Sequence, residues 1–272
     1  MKPSSKRTGI SFKKVNHKYM KKALIFMFFL SLIPFFSGKT FSQQTEGTIK
    51  YLTTYDWVKM LNACDYLSKE RKEKISYMWG NRSEWKIYEL LHFTAKKTKF
   101  EESEESADPR EDDGYSGRKE TFFMTCDFEN NTMFDAITTL GKVYLIEDSL
   151  RKPDWKILND MKEVAGHVCM NASLTDTLRN QKITAWFALD IPLQVGPDRF
   201  FGLPGMILEV NINKGACVIT AEKIEMKKLS TEFDLPKKLK GKKISSAEYH
   251  AVLKKFYDEK RQAEEFPWGV RY

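Results

Sequence analysis

The chain has 272 residues and a formal charge of +8, a basicity that invites a nucleic-acid reading. The position of the charge removes that reading: residues 1–42 carry nine Lys or Arg and no acid, and the 36 basic and 37 acidic residues that follow leave a net of −1. The roughly 230 residues beyond that segment suffice for one core, burying about 70% of its unfolded surface, or for two small ones.

Residues 1–22 hold Lys2, Lys6, Arg7, Lys13, Lys14, Lys18, Lys21 and Lys22. An apolar run follows from Ala23 to Phe36, and Thr40-Phe41-Ser42 then sets small residues before Gln43-Gln44. A basic start, a short apolar middle and a small-residue cut site make a secretory signal peptide over residues 1–42, cleaved after Ser42. A retained membrane anchor is the alternative. The 14 apolar residues would rise only about 21 Å as a helix, against roughly 30 Å of hydrocarbon. Met20-Lys21-Lys22 offers a second signal start. No later stretch is apolar for long enough to span a membrane, so the expected address is the periplasm, with or without association to the outer membrane, or the exterior.

Residues 47–59 are rich in Thr, Tyr, Trp and Val and read as a strand. Asp65 to Trp79 places Leu67, Ile75 and Met78 at helical spacings, and Gly80-Asn81 stops the run. Glu84 to Phe93 returns to strand character. Residues 101–117 are acidic and nearly free of large apolar groups, which predicts a solvated loop insertion. Its acids lack the alternating spacing of a calcium loop.

Short strands follow at 122–126, 132–138, 143–147 and 155–158, with turns at Asn130-Asn131 and Gly141-Lys142. Residues 164–174 read as one strand, with Val164, Gly166, Val168, Met170, Ala172 and Leu174 on one face and His167, Cys169, Asn171 and Ser173 on the other. Ile183 to Asp190 and Met206 to Ile212 are two more strands, and Asn213-Lys214-Gly215 turns the latter into a hairpin with 216–224. Strands joined mainly by tight turns argue for a mainly β (α+β) domain over 43–229, an antiparallel meander with one or two helices packed on it. Residues 230–272 add a basic linker, a helix opened by the capping box Ser245-Ser-Ala-Glu248, and an aromatic tail, Phe266 to Tyr272. The tail either packs back on the domain or docks on a partner by strand addition.

The four cysteines Cys64, Cys126, Cys169 and Cys217 are widely spaced. They form either disulfides, in any of three pairings, or buried free thiols. The stretch 183–212 holds Pro192, Gly196, Pro197, Gly202, Leu203, Pro204 and Gly205 in a stiff loop. Gly202-Leu-Pro-Gly205 predicts a sharp turn with Pro204 presetting φ and Gly205 free to take a positive one.

With Ala185-Trp186-Phe187, Ile191-Pro192, Gly196-Pro197, Gly202 to Ile207 and an upstream glycine–cysteine–alanine strand at 162–172, this stretch resembles the GLPGLI family of secreted Bacteroidetes proteins. The specific match covers 160–225, and Met206 departs from the usual leucine, a volume-conserving change. The resemblance implies a periplasmic or outer-membrane-associated protein, often encoded near TonB-dependent receptors, and no particular activity. At the level of fold alone, the meander also resembles the half-barrel of lipoprotein carriers.

Catalytic motifs of the metalloprotease, hydrolase and nucleotide-binding kinds do not occur. His167 and Cys169, two apart on a strand, pair as a candidate copper or zinc site or a thiol–imidazole dyad. Asp190, Asp198 and Arg199 flank the Pro/Gly loop, where the aspartates serve either as paired carboxylates for acid–base work or, as aspartates commonly do, as caps for backbone donors. Ser149 and Thr177, each following an aspartate and preceding a leucine, match a short O-glycosylation pattern. Three functions are therefore open: a non-catalytic accessory protein docking on an outer-membrane receptor or transport complex, a carrier of a lipid or other apolar ligand, or a metal binder. No cofactor is expected for the first two.

Overall fold

A computed structural model describes residues 45–79, 83–107, 122–236 and 238–272. The expected export signal over 1–42, its expected cut after Ser42 and much of the expected acidic insertion lie outside the described residues. The elements run β1 (Gly47–Asp56), α1 (Trp57–Ala63), α2 (Lys69–Trp79), β2 (Glu84–Phe93), β3 (Lys97–Glu102), β4 (Phe122–Asp127), β5 (Thr132–Thr139), β6 (Lys142–Ser149), β7 (Lys156–Val164) and β8 (His167–Asp176). They continue through β9 (Gln181–Ala188), β10 (Ile207–Ile212), β11 (Cys217–Met226), β12 (Lys242–Ile244) and α3 (Ser246–Ala263). None of these helices is long and apolar enough to cross a membrane.

Among the described residues, twelve strands join one sheet, in the order β12-β6-β5-β4-β3-β2-β1-β11-β10-β9-β8-β7. The protein is mostly β, as expected, and the sheet is open rather than closed into a barrel. Every pair is antiparallel except β12 with β6, which runs parallel. The basic linker therefore contributes an edge strand, which its lysines conceal in the sequence. The same linker covers a small apolar patch, with Leu239 against Phe123, Ala136 and Leu145.

Among the described residues there are three helices, where one or two were expected. The added one, α1, begins inside the stretch read as strand. Asp56 ends β1 and caps α1, its side chain accepting from the Lys59 N–H at 3.0 Å. The stretch 164–174 is two strands rather than one. Val164 closes β7, and Ala165 (φ 50°) with Gly166 (φ 82°) makes a two-residue turn into β8. Both central residues are left-handed, as the twist of a tight hairpin demands. Alanine rarely adopts that conformation, so the turn has no sequence signal.

The sheet curls strongly. Phe201, between β9 and β10, has its ring 5.4 Å from that of Phe128, just after β4. Its carbonyl accepts from the Trp155 indole N–H, just before β7, at 2.9 Å. Those strands stand eight positions apart in the sheet, which would separate them by about 38 Å if it were flat. The curl makes a concave face. Tyr51, Ile87, Leu91, Phe93, Phe100 and Met124 line it, all nearly or fully buried. The β9–β10 loop and residues 266–272 lie against it.

α3 closes one side of this face. Ser245 and Glu248 form the predicted capping box, and Leu253, Phe256 and Tyr257 are buried beneath the helix. Ser245→Ala should cost about 1 kcal/mol in chemical denaturation, since it orphans one helix N–H. An unchanged midpoint would show that the cap contributes nothing.

Candidate functional site

The loop of residues 189–206 is folded inward. Val195, Gly196, Pro197, Phe201, Gly202, Leu203, Gly205 and Met206 are buried, while Pro192 and Pro204 are exposed. Its backbone is satisfied locally: Met206 N–H donates to Ile191 C=O at 3.0 Å, Gly202 N–H to Gln194 C=O at 3.0 Å, and Ile207 N–H to Val195 C=O at 2.9 Å. The turn chemistry differs from expectation. Gly202 takes the positive φ, at 88°. Gly205 is required for a different reason: a Cβ there would lie 1.9 Å from the Ala188 carbonyl oxygen. The loop packs so closely on the end of β9 that only hydrogen fits.

Asp198 and Arg199 leave this loop in different directions, and neither caps it. Arg199 crosses to β4 and β5, where it pairs with Asp135, donates to Thr125 C=O at 3.1 Å and to the Cys126 sulfur at 2.8 Å. Asp198, held at φ 53°, accepts from Arg271 Nε at 3.1 Å and from the Tyr272 hydroxyl. Arg271 in turn donates through Nη2 to Glu89 of β2 at 2.5 Å. Glu89 is completely buried and also accepts from the Thr53 hydroxyl. The guanidinium carbon lies 3.8 Å from the centre of the Phe122 ring. One arginine thus ties β2, the motif loop and the tail together.

Burial pushes the Glu89 carboxyl above its usual range, with Arg271 and the Thr53 hydroxyl opposing. Burial also works against the charge of Arg271, but Glu89 and its other neighbours hold its pKa well above the usual value. Sequence reasoning missed Glu89 and Arg271, and it also missed Asp135. A signal existed in β2: Trp85, Ile87, Glu89, Leu91 and Phe93 share one face by alternation, so an acid stands in an apolar register.

Beside this cluster is a cleft of about 80 Å³ lined by Trp57, Trp85, Trp268 and Tyr272, among others. A second, of about 60 Å³, lies beside Cys64, Arg179 and Arg261. Tyr55, Trp57 and Trp85 cluster with near-parallel rings, the Tyr55 ring centre 5.9 Å from Trp57 and 5.4 Å from Trp85 and the two tryptophans 6.5 Å apart.

All four cysteines are free thiols. Cys169 is fully buried, and burial, with Asp190 adding to it, pushes its thiol up to about 11. It donates to the His167 carbonyl at 3.5 Å. The His167 ring pairs instead with Asp190 on the surface, at 2.8 Å. A carboxylate thus orients the histidine, yet the adjacent thiol stays protonated and out of reach of solvent. Among the described residues, no group of three or more His, Cys, Asp or Glu is placed to hold a metal ion. Along β8, Val168 is 52% exposed, while Asn171 on the opposite face is buried and accepts from the Asp160 N–H at 3.1 Å. Ser149 and Thr177 are exposed, and the aspartates before them bond to nearby backbone N–H groups.

The family model described as "Protein of unknown function (Porph_ging)", of a Bacteroidetes-associated family, matches residues 174–209. The match runs from the end of β8 through β9 and the motif loop into β10. Two solved structures of PNGF-II, in space groups C2 and P21, are similar at 12% identity, with TM-scores of 0.49 and 0.50. They cover 76% and 77% of this chain and 32% and 33% of their own, so the chain spans about a third of their length. At that identity the second bears on the fold alone. No curated protein matches the sequence.

Two outcomes follow. A thiol reagent at mildly alkaline pH should reach Cys64 alone in the native chain, and four thiols should titrate after unfolding without reductant. Fewer than four would show a disulfide. For Glu89, a raised folded pKa means stability that is full below the ordinary value of 4.5 and lost as pH rises through the raised value. The stability difference, wild type minus Glu89→Gln, should therefore fall across that window. A constant difference would place Glu89 at its ordinary value.

Proposed function

We propose that this chain is an exported, non-catalytic binding protein of the periplasm or outer membrane that docks on an outer-membrane receptor or transport complex of the TonB-dependent kind. The observation that carries this reading is an apolar stripe at the β7 edge of the sheet. Ile157, Met161 and Val168 are 51%, 57% and 52% exposed, and Leu189 is 47% exposed beside Val168, to whose carbonyl its N–H donates. Ile157 pairs with Ala172 and Met161 with Met170, so alternation puts all four on one face of the sheet. Exposed apolar groups gathered on one face offer an apolar surface to a partner.

The bulge between Ile157 and Met161, together with Lys156, Asp160 and Lys162, blunts this edge against strand addition. The face of the stripe, rather than its backbone, is the surface offered. The filled concave face supports surface recognition over enclosure of a ligand. Clefts of about 80 and 60 Å³ compare with the roughly 300–1,000 Å³ of a typical small-molecule site. Support for the address comes from the signal-like first 42 residues and from the GLPGLI resemblance, whose stretch overlaps the matched residues 174–209.

Tagged protein incubated with detergent-solubilised outer membrane should retain a β-barrel receptor, and Met161→Asp with Val168→Asp should abolish retention while leaving the far-ultraviolet spectrum unchanged. Recovery of no barrel protein, or equal recovery by the double variant, would overturn the reading.

A further inference from the structure

The cage around Arg271 has the build of a recognition site. Glu89 and Asp198 come from separate parts of the chain and meet two different edges of one guanidinium, Nη2 at 2.5 Å and Nε at 3.1 Å. Phe122 lies 3.8 Å from the guanidinium carbon and Phe100 5.7 Å. Two carboxylates on different edges, with an aromatic face between them, select a planar guanidinium over a lysine ammonium. Tyr272 adds its hydroxyl to Asp198 and stacks on Tyr55 at 6.3 Å, so the pair recognised is arginine followed by an aromatic.

The segment that supplies this pair is attached differently from everything else on the sheet. Residues 266–272 belong to no strand or helix. Their main chain meets the sheet where Leu140 N–H donates to Gly269 C=O at 3.0 Å, and no β-ladder joins them. Side chains hold the segment: Phe266 and Trp268 against each other at 4.5 Å, Trp268 on Trp57 at 5.7 Å, and the Arg271–Tyr272 pair in the cage. A segment bound by side-chain anchors and not by a ladder can leave without breaking the sheet.

We propose that this cage is a receptor site for an arginine–aromatic peptide segment of a partner protein, and that residues 266–272 occupy it as the internal surrogate of that segment. The proposal rests on the binding-protein reading and names its chemistry. Burial raises the Glu89 pKa, so without a guanidinium it stays buried only as the neutral acid; as a carboxylate it needs a counter-charge, its own arginine or a foreign one. Tethering gives the internal arginine a high effective concentration, so the isolated chain stays closed and a partner enters by exchange.

The test uses the full chain carrying Arg271→Ala and a labelled, end-capped peptide of residues 266–272. The variant should bind the peptide saturably and the wild type at least about tenfold more weakly, while lysine or alanine in place of the peptide's arginine should cost at least about tenfold. A folded Arg271→Ala chain that ignores the peptide overturns the proposal. Where that variant fails to fold, the wild-type chain with a protease site inserted after Glu264 is cut after folding. Exchange of its tail for labelled peptide supports the proposal, and collapse on cutting, or a tail that does not exchange, overturns it. The readout needs no membrane component, so peptide binding without capture of a barrel would sink the outer-membrane reading alone.

Discussion

The filling of the concave face turns on one guanidinium, that of Arg271. Arg271 stands between Glu89, which is wholly removed from water, and Asp198 on the motif loop. A lone carboxylate at the position of Glu89 would be costly by several kcal/mol, and so would a lone arginine. Each is tolerable because the other is present. The three groups come from residues 89, 198 and 271, so the cluster forms only when β2, the loop and the tail have all reached their places. Such a cluster adds little net stability over an apolar filling of equal volume. What it supplies is specificity, because arrangements that leave any one of the three unpaired are penalised.

Around this point the concave face is filled from within. The curl of a twelve-stranded sheet creates a hollow that an antiparallel meander of this length cannot fill with its own inward side chains. The β9–β10 loop supplies Val195, Phe201, Leu203 and Met206, and Arg199 pins it to β4 and β5. The glycines and prolines that make the motif conspicuous are thus requirements of packing: a glycine against the Ala188 carbonyl, a glycine at positive φ, and a stiff chain that loses little entropy on being tucked in. Its apolar residues face the core, so the motif marks how the domain is filled.

Much of the sheet was legible because alternation and turn residues are local. The strands at 84–93, 132–138 and 143–147 and the capping box at Ser245 follow from spacing alone. The Ala165-Gly166 turn was hidden because alanine there violates its own preference, and β12 was hidden among lysines. The His167–Cys169 pair looked like chemistry because two residues apart on a strand means one face. In the fold the thiol is buried and the ring turns toward Asp190, and both are tertiary facts. The cluster at Arg271 was half legible. Glu89 in an apolar register announces a buried acid, but its partner lies 182 residues away and no local pattern names it.

A double-mutant cycle on Glu89 and Arg271 tests the central interaction most directly. If the two charges are mutually dependent, Glu89→Ala and Arg271→Ala should each destabilise strongly, and the double variant should be no worse than the more damaging single change. The coupling between them should then be about 2–3 kcal/mol. Additive losses would contradict the account, leaving the two side chains as independent packing contacts and the filled concave face without its organising interaction.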